Sequence, residues 1–121
     1  MIGIGVDLVD VERMRTVLAR TPGLLSRLFT DGERAYAESS RDPATRYAVR
    51  FAAKEAVMKA LGVGLGAFGW HDVEVAREPS GAPRLIVTGR AAELAARAGV
   101  RDWKLTLSHT DHTAEAIAVA L

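Results

Sequence analysis

The segment RFAAKEAVMKALG combines an apolar pattern with charged side chains whose spacing suits the binding of an anion. At about 100° per residue, helix positions four apart share a face, so Glu55 and Lys59 are neighbours. Arg46, Arg50 and Lys54 follow one another at the same spacing, and as plain surface charges they would repel. Such a row of cations beside one carboxylate favours a multiply charged anion bound together with a metal ion. The alternative is ordinary surface pairing, which stabilises a helix by only ~0.2–0.5 kcal/mol per pair.

An aspartate lies near the end of the predicted first strand, IGIGVD. The apolar side chains of this strand share one face, and two glycines share the other face with Asp7. Because glycine has no side chain, we expect open space beside the Asp7 carboxylate. Magnesium typically takes one or two carboxylates with substrate phosphates and water, so Asp7 and Glu55 would suit it if the long helix crosses the strand end. A turn or helix-capping aspartate is the alternative.

Other kinds of site are disfavoured by their context. GLGAFG has the glycine spacing of a dinucleotide-binding turn, but a predicted helix precedes it and a strand follows, which reverses the required order. Ser108 and His109 are adjacent on a predicted strand and point to opposite faces, which argues against a catalytic pair. His109 and His112 have a spacing that zinc accepts, but no third ligand is evident. The alternative for His109 is a histidine at the edge of the core.

The composition limits the class of protein. The chain has 121 residues, of which 49% are apolar, and it contains no cysteine. We therefore predict one domain over residues 1–121, no disulfides, no thiolate metal site and a cytoplasmic location. A net charge of +1 argues against a nucleic-acid partner. No apolar run reaches the roughly 18–20 residues of a membrane span.

Arginines are concentrated in the first third of the chain. A basic surface in this region would attract an acidic partner. The alternative is a solvated helix face without a partner. The residues are Arg13, Arg15, Arg20, Arg27 and Arg34.

The order of predicted elements indicates an α+β fold. After the first strand, Asp10 is placed to cap a helix, TPGLLSRLF predicts a short helix, and residues 30–33 have capping-box spacing for another. The longest helical window is Pro43–Leu61, which Gly62 ends. DVEVA and RLIVT form a predicted hairpin, an alanine-rich helix follows, and DWKLTLSH pairs with TAEAIAVAL across a short turn. We expect a mostly antiparallel sheet packed around one long central helix.

Four segments resemble one known family, the holo-acyl-carrier-protein synthases, which are the small trimeric class of 4'-phosphopantetheinyl transferases. GIGVDLVDVER is similar to the family's first strand, aspartate and helix. RFAAKEAVMKALGVG is similar to its central helix motif. GAPRLIVTGRAAELAARAG and LTLSHTDHTAEAIAVA resemble its hairpin with the following helix and its closing strand pair. The resemblance covers essentially the whole chain in order, and it implies the 4'-phosphopantetheinyl transferase fold.

The resemblance also implies an activity. Members of this family transfer the 4'-phosphopantetheine arm of coenzyme A to a serine of an apo acyl carrier protein and release adenosine 3',5'-bisphosphate. By similarity, Asp7 and Glu55 hold Mg²⁺, which bridges the diphosphate of coenzyme A. Lys59 contacts that diphosphate, and His109 lies beside the same phosphates. Glu55, Lys59 and His109 are the implied catalytic residues.

Further residues match positions of the family's substrate sites. Arg50 and Lys54 fall at positions near the coenzyme A site, and Gly62 and Gly64 allow the backbone to approach the nucleotide. Arg13 falls where the family's first helix meets the acidic carrier protein. Active sites in this family lie between the subunits of a homotrimer, so a site here is expected to combine residues from two chains.

Several alternatives stay open. Glu55 is one candidate for the base that takes the serine proton. A metal-held water is the second candidate, because a metal-bound carboxylate is a poorer base, and Asp31 is the third. The family commonly has Gly-Thr-Gly where this chain has Val63 between two glycines, and His112 has no assigned role. A non-catalytic module that binds coenzyme A or the carrier protein, and a metal-dependent phosphoester hydrolase, are the competing functions. Fatty-acid and polyketide carriers are both possible substrates.

Overall fold

The computed structural model describes all residues from 1 to 121, and every predicted helix and strand is present. A 3-10 turn, Trp70–Asp72, is the one additional element with helical geometry. The strands and helices are, in chain order, β1 (Gly3–Asp10), α1 (Val11–Arg20), α2 (Leu24–Leu28), α3 (Asp31–Glu38), α4 (Pro43–Leu61), β2 (Val73–Arg77), β3 (Pro83–Val87), α5 (Gly89–Ala98), β4 (Trp103–His109) and β5 (Thr113–Ala120).

All strand pairs are antiparallel, which confirms the predicted α+β class. The strands divide into two sheets, one with the order β1-β5-β4 and the other formed by the hairpin β2-β3. The expectation of a single sheet was therefore too simple. In the larger sheet the first strand pairs with the last, so that Asp7 lies opposite Ala116.

The helix-capping residues predicted from short sequence segments are present at the helix ends. The Asp10 carboxylate accepts a hydrogen bond from the backbone N–H of Arg13 at 3.0 Å and caps α1. Thr30 and Glu33 form the reciprocal capping box of α3. Gly62 ends α4 with a φ of 69°, a left-handed conformation that glycine adopts without strain. Each signal lies within one helical turn, which explains why sequence reasoning found it.

Helix α4 lies directly on the glycine face of β1. A Cβ atom added to Gly3 would be 2.0 Å from the carbonyl oxygen of Ala60, and one added to Gly5 would be 2.0 Å from that of Ala56. The neighbouring strand β5 turns four fully buried alanines inward. Small residues on both elements therefore allow backbone-to-backbone contact. The helix fills the space beside Gly3 and Gly5, whereas open space remains beside Asp7, which lines a cavity.

The opposite face of β1 carries exposed apolar side chains. Ile4 is 57% exposed, Val6 is 48% exposed and Leu8 is 63% exposed. Ile117 and Val119 of β5 pair with Val6 and Ile4 and are half-buried, so they extend this apolar face across the sheet. No helix combines the length and the apolar character needed to cross a membrane.

Candidate active site

The close packing of β1 and α4 brings Asp7, Lys59 and Glu55 together. Lys59 Nζ lies 3.0 Å from Asp7 Oδ1 and also donates a hydrogen bond to the carbonyl oxygen of Val6 at 3.0 Å. Glu55 lies one turn before Lys59 on the same face of α4. Partial burial and the negative charge of Asp7 raise the pKa of Glu55, and Lys59 opposes this effect. Lys59 is therefore ion-paired with Asp7, and its charge also acts on Glu55 without a direct ion pair.

This group of side chains has the composition that magnesium requires. Asp7 is only 16% exposed at its side chain, and its charge already disfavours ionisation of Glu55, so a divalent cation would relieve the repulsion. No group of three or more His, Cys, Asp or Glu side chains is placed to hold a metal ion. Two carboxylates with room for phosphate oxygens and water suit Mg²⁺ better than a metal that needs a full protein cage.

A cavity of about 810 Å³ opens beside the two carboxylates. Its apolar wall includes Phe51 and Trp70, whose rings stack with centroids 5.2 Å apart. Its basic residues are Arg13 and Arg27, neither of which forms an ion pair, whereas Arg15 is held by Asp42 and Glu12. The sequence carried no signal that Trp70 faces this cavity.

A second cavity, of about 330 Å³, is strongly basic. The guanidinium groups of Arg46, Arg50 and Arg77 lie 4.0, 4.3 and 5.0 Å from the centre of the Tyr36 ring. His109 lines the same cavity. No carboxylate pairs with any of these three guanidinium groups, so their positive charge is not neutralised within the chain.

Arg50 is the most buried member of this basic group. It is 4% exposed, its Nε atom has no hydrogen-bond partner, and burial lowers its pKa. Two members of the predicted cation row, Arg46 and Arg50, thus line one basic cavity. Tyr36 and Arg77 were missed by sequence reasoning, since they come from α3 and β2, and no local spacing links them to α4.

His109 does not lie with the carboxylates of the same chain. It ends β4, whereas Asp7 is on β1, and β5 separates the two strands. Arg50 and Glu55 are about 140° apart around the axis of α4. The carboxylate cluster and the basic cavity therefore occupy opposite flanks of one helix, and the implied meeting of His109 with Lys59 at one diphosphate does not occur within a single subunit.

The structure corrects the role expected for Lys54. Its side chain is 0% exposed and forms an ion pair with Glu33, which is also 0% exposed, at 2.9 Å. An ammonium group with no accessible surface cannot contact coenzyme A. Lys54 is therefore an internal residue, and the row of three like charges is broken because its third member is neutralised inside the protein.

The remaining candidates have simpler surroundings. Gly64 has no heavy atom within 4 Å of a Cβ position, so the chain itself does not require glycine there, unlike at Gly62. Asp31 lies in the first turn of α3 and lines neither of the two cavities. His112 is exposed, and its carbonyl oxygen accepts a hydrogen bond from the N–H of Val11.

Comparison with known proteins connects this arrangement to one family. Residues 3–119 match the model of the 4'-phosphopantetheinyl transferase superfamily. The holo-[acyl-carrier-protein] synthase of Desulforudis audaxviator is 50% identical over 122 aligned residues, which cover 100% of this chain and 93% of that protein.

Solved structures give the same result at lower identity. The crystal structure of holo-[acyl-carrier-protein] synthase from Neisseria meningitidis has a TM-score of 0.90 and 27% identity, and the alignment covers 100% of this chain and 98% of that one. The Helicobacter pylori synthase in complex with coenzyme A has a TM-score of 0.85 and 26% identity, with 98% and 99% covered. The chain therefore belongs to the holo-[acyl-carrier-protein] synthases of the 4'-phosphopantetheinyl transferase superfamily.

Proposed function

We propose that this protein transfers the 4'-phosphopantetheine arm of coenzyme A to a serine of an apo acyl carrier protein in a Mg²⁺-dependent reaction. The serine oxygen forms a bond to the phosphorus of the phosphopantetheine phosphate. The bond from that phosphorus to the bridging oxygen of the diphosphate breaks, and adenosine 3',5'-bisphosphate leaves. The observation that carries the proposal is the cluster of Asp7, Glu55 and Lys59 beside an open cavity, in a chain of this family.

The chemistry needs positioning and charge neutralisation more than covalent help from the protein. Asp7 and Glu55 are the residues that would hold Mg²⁺, and the ion would neutralise part of the diphosphate charge. Lys59 is 54% exposed and can turn its ammonium group from Asp7 towards a phosphate oxygen. Glu55 and a metal-held water are both candidates for the acceptor of the serine proton, because a carboxylate that binds Mg²⁺ is a poorer base.

The basic cavity suits the nucleotide end of coenzyme A. Arg46, Arg50 and Arg77 line this cavity, and none of the three guanidinium groups is paired with a carboxylate. Charge-assisted hydrogen bonds from guanidinium groups to phosphate are among the stronger polar contacts in proteins. We assign Arg50 and His109 to phosphate binding and leave Lys54 out of the ligand set. Gly62 and Gly64 remain candidates for backbone approach to the nucleotide.

The two flanks of α4 suggest how subunits cooperate. One coenzyme A molecule would reach the carboxylate cluster of one subunit and the basic cavity of a neighbour, in a homotrimer with sites between subunits. The exposed apolar face of β1 and β5 is a surface that such an assembly would cover. A solution mass of about three times the 13.0 kDa of one chain is the expected result of light scattering.

The carrier protein would bind at the first cavity. Arg13 and Arg27 are unpaired cations at its edge, and an acidic carrier would be attracted to them. The serine would then enter beside Glu55, between these arginines and the wall formed by Phe51 and Trp70.

The test mixes the protein with coenzyme A, Mg²⁺ and a panel of apo carrier proteins from fatty-acid and polyketide systems. Mass spectrometry should show a carrier heavier by one phosphopantetheine arm. No mass shift with any carrier, together with tight coenzyme A binding, would favour a non-catalytic module. Release of free phosphopantetheine without a carrier would instead indicate a hydrolase.

Glu55→Gln supplies the matching residue test. The substitution keeps the side-chain volume and removes the negative charge, so we expect turnover at saturating Mg²⁺ to fall by at least about 100-fold. Glu93→Gln is the control, because Glu93 is an exposed carboxylate on α5 that pairs only with Arg90. Turnover close to that of the parent protein in Glu55→Gln would refute the role assigned to Glu55.

A further inference from the structure

Lys54 makes a complete set of polar contacts inside the protein. Its ammonium group lies 2.9 Å from Glu33 Oε1 and donates to the carbonyl oxygen of Trp70 at 2.9 Å. It donates a third hydrogen bond to the carbonyl oxygen of Val73. All three ammonium protons are therefore used, and two of them hold the backbone of the segment that joins the 3-10 turn to β2.

Glu33 completes the network from the other side. Its carboxylate accepts hydrogen bonds from the N–H of Thr30 at 3.0 Å and from the N–H of Val75 at 2.9 Å. Buried ion pairs add little stability over apolar residues of the same volume, because desolvation of both charges offsets their attraction. Apolar side chains, however, cannot make directed bonds to the backbone of the 3-10 turn, of β2 and of the N-cap of α3. The pair therefore fixes the positions of these backbone groups relative to α3 and α4.

The backbone that Lys54 holds carries a wall of the candidate active site. The Trp70 ring stacks on Phe51 at an interplanar angle of 27°, and both rings line the first cavity. Phe51 lies one helical turn before Glu55, which lines the same cavity. A shift of the Trp70 backbone would therefore move the apolar wall relative to the Glu55 carboxylate.

We propose that Lys54, supported by Glu33, is a positioning residue of the transfer reaction. It ties the Trp70 carbonyl to α4, keeps the Trp70 ring against Phe51, and so orients the carrier protein's surface around the acceptor serine beside Glu55. The kinetic part of this inference rests on the proposed function, whereas the tie to Trp70 does not. A misplacement of about 1 Å in a reacting pair can cost about 100-fold in rate, so the wall need not move far.

The test compares Lys54→Met with Val57→Ala, both in a Trp103→Phe background that leaves Trp70 as the only tryptophan. Methionine keeps the length of the lysine and removes its three hydrogen bonds. Val57 is fully buried on the same helix, and its truncation reports the effect of lost packing alone. Measurements are made at a temperature at which unfolding curves show both variants to be folded.

Three quantities are measured: acrylamide quenching of Trp70 fluorescence, kcat/KM for the carrier protein, and KM for coenzyme A. In Lys54→Met we expect stronger quenching and a kcat/KM lower by about 10- to 100-fold, while KM for coenzyme A changes by less than about threefold. In Val57→Ala we expect none of these changes. Parent-like quenching and kinetics in Lys54→Met, or the same changes in Val57→Ala, would overturn the proposal.

Two further outcomes are also decisive. If Lys54→Met does not fold, Glu33→Gln weakens the same network and should produce smaller changes in the same direction, and unchanged Trp70 quenching in that variant overturns the inference. If the parent protein transfers nothing to any carrier, the proposed function fails. The quenching comparison then still decides whether Lys54 holds Trp70 in place.

Discussion

The contact between β1 and α4 makes Gly5→Ala a severe change although it adds a single methyl group. The new Cβ would lie 2.0 Å from the carbonyl oxygen of Ala56 and 2.7 Å from the backbone nitrogen of Ala60. Ordinary contacts of this kind begin at 3.4 Å, so the shortfall against the Ala56 oxygen is 3.4 − 2.0 = 1.4 Å. Because both obstructing atoms are backbone, no side-chain rotation can relieve the clash, and the helix has to move away from the strand.

The cost can be estimated from this geometry. Overpacking of a well-packed core typically costs 1–3 kcal/mol, and a clash with helix backbone belongs at the upper end, at about 3 kcal/mol. That is a large part of a typical unfolding free energy of roughly 5–15 kcal/mol. The same movement separates Asp7 on β1 from Glu55 on α4. We therefore expect transfer activity to fall by about 100-fold at temperatures where the variant is folded.

Urea unfolding and the mass-shift assay measure the two effects. Gly23→Ala is the matched control, since no heavy atom lies within 4 Å of its Cβ position and its φ of −66° suits alanine. This control should be as stable as the parent protein or slightly more stable. An unfolding free energy of Gly5→Ala within about 0.5 kcal/mol of the parent value would refute the proposed backbone contact, since surface substitutions fall in that range.

Two further predictions concern charged residues. The Arg15 guanidinium and the Thr45 hydroxyl hold the pKa of Asp42 below its usual value. The ionised carboxylate therefore stabilises the fold at pH values above the unfolded-state pKa of about 3.9. This stabilisation is lost as the pH falls through the folded-state pKa. Asp42→Asn should therefore lower Tm at pH 7 in thermal unfolding, and the difference from the parent protein should shrink as the pH falls towards the folded-state pKa. Equal Tm values at pH 7 would contradict this. Arg50→Met should raise KM for coenzyme A by about 10- to 100-fold, because a hydrogen bond to a charged group contributes about 1.5–3 kcal/mol. Steady-state kinetics at saturating carrier protein would measure this change, and a parent-like KM would argue against phosphate binding at Arg50.

Much of the fold followed from short-range patterns. The bounds of Pro43–Leu61, the capping box of α3 and the left-handed Gly62 all depend on residues within one or two helical turns. The family motifs are also short segments, and the resemblance placed Asp7 and Lys59 at the same site. In the structure these two side chains are 3.0 Å apart. Local backbone preferences and side-chain periodicity are sufficient for such statements.

Long-range packing decided the rest. On the glycine face of β1, a helix with alanine at the contact fills the space beside Gly3 and Gly5, and open space remains only at Asp7. The face of β1 with the larger apolar side chains is the exposed one. The pairing of β4 with β5 was predicted from the short turn between them, whereas the pairing of β1 with β5 joins the two ends of the chain, and no local pattern specifies it.

The three cations of the predicted row and His109 show the limit of what the sequence alone can predict. Periodicity correctly placed Arg46 and Arg50 on one face of α4, and in that sense their shared cavity was visible in the sequence. Lys54 continues the row by spacing, yet Glu33 from α3 neutralises it in the interior, and His109 faces the basic cavity and not the carboxylates. Periodicity states which side chains share a face, whereas the partner that packs against that face is selected by contacts between residues far apart in the chain.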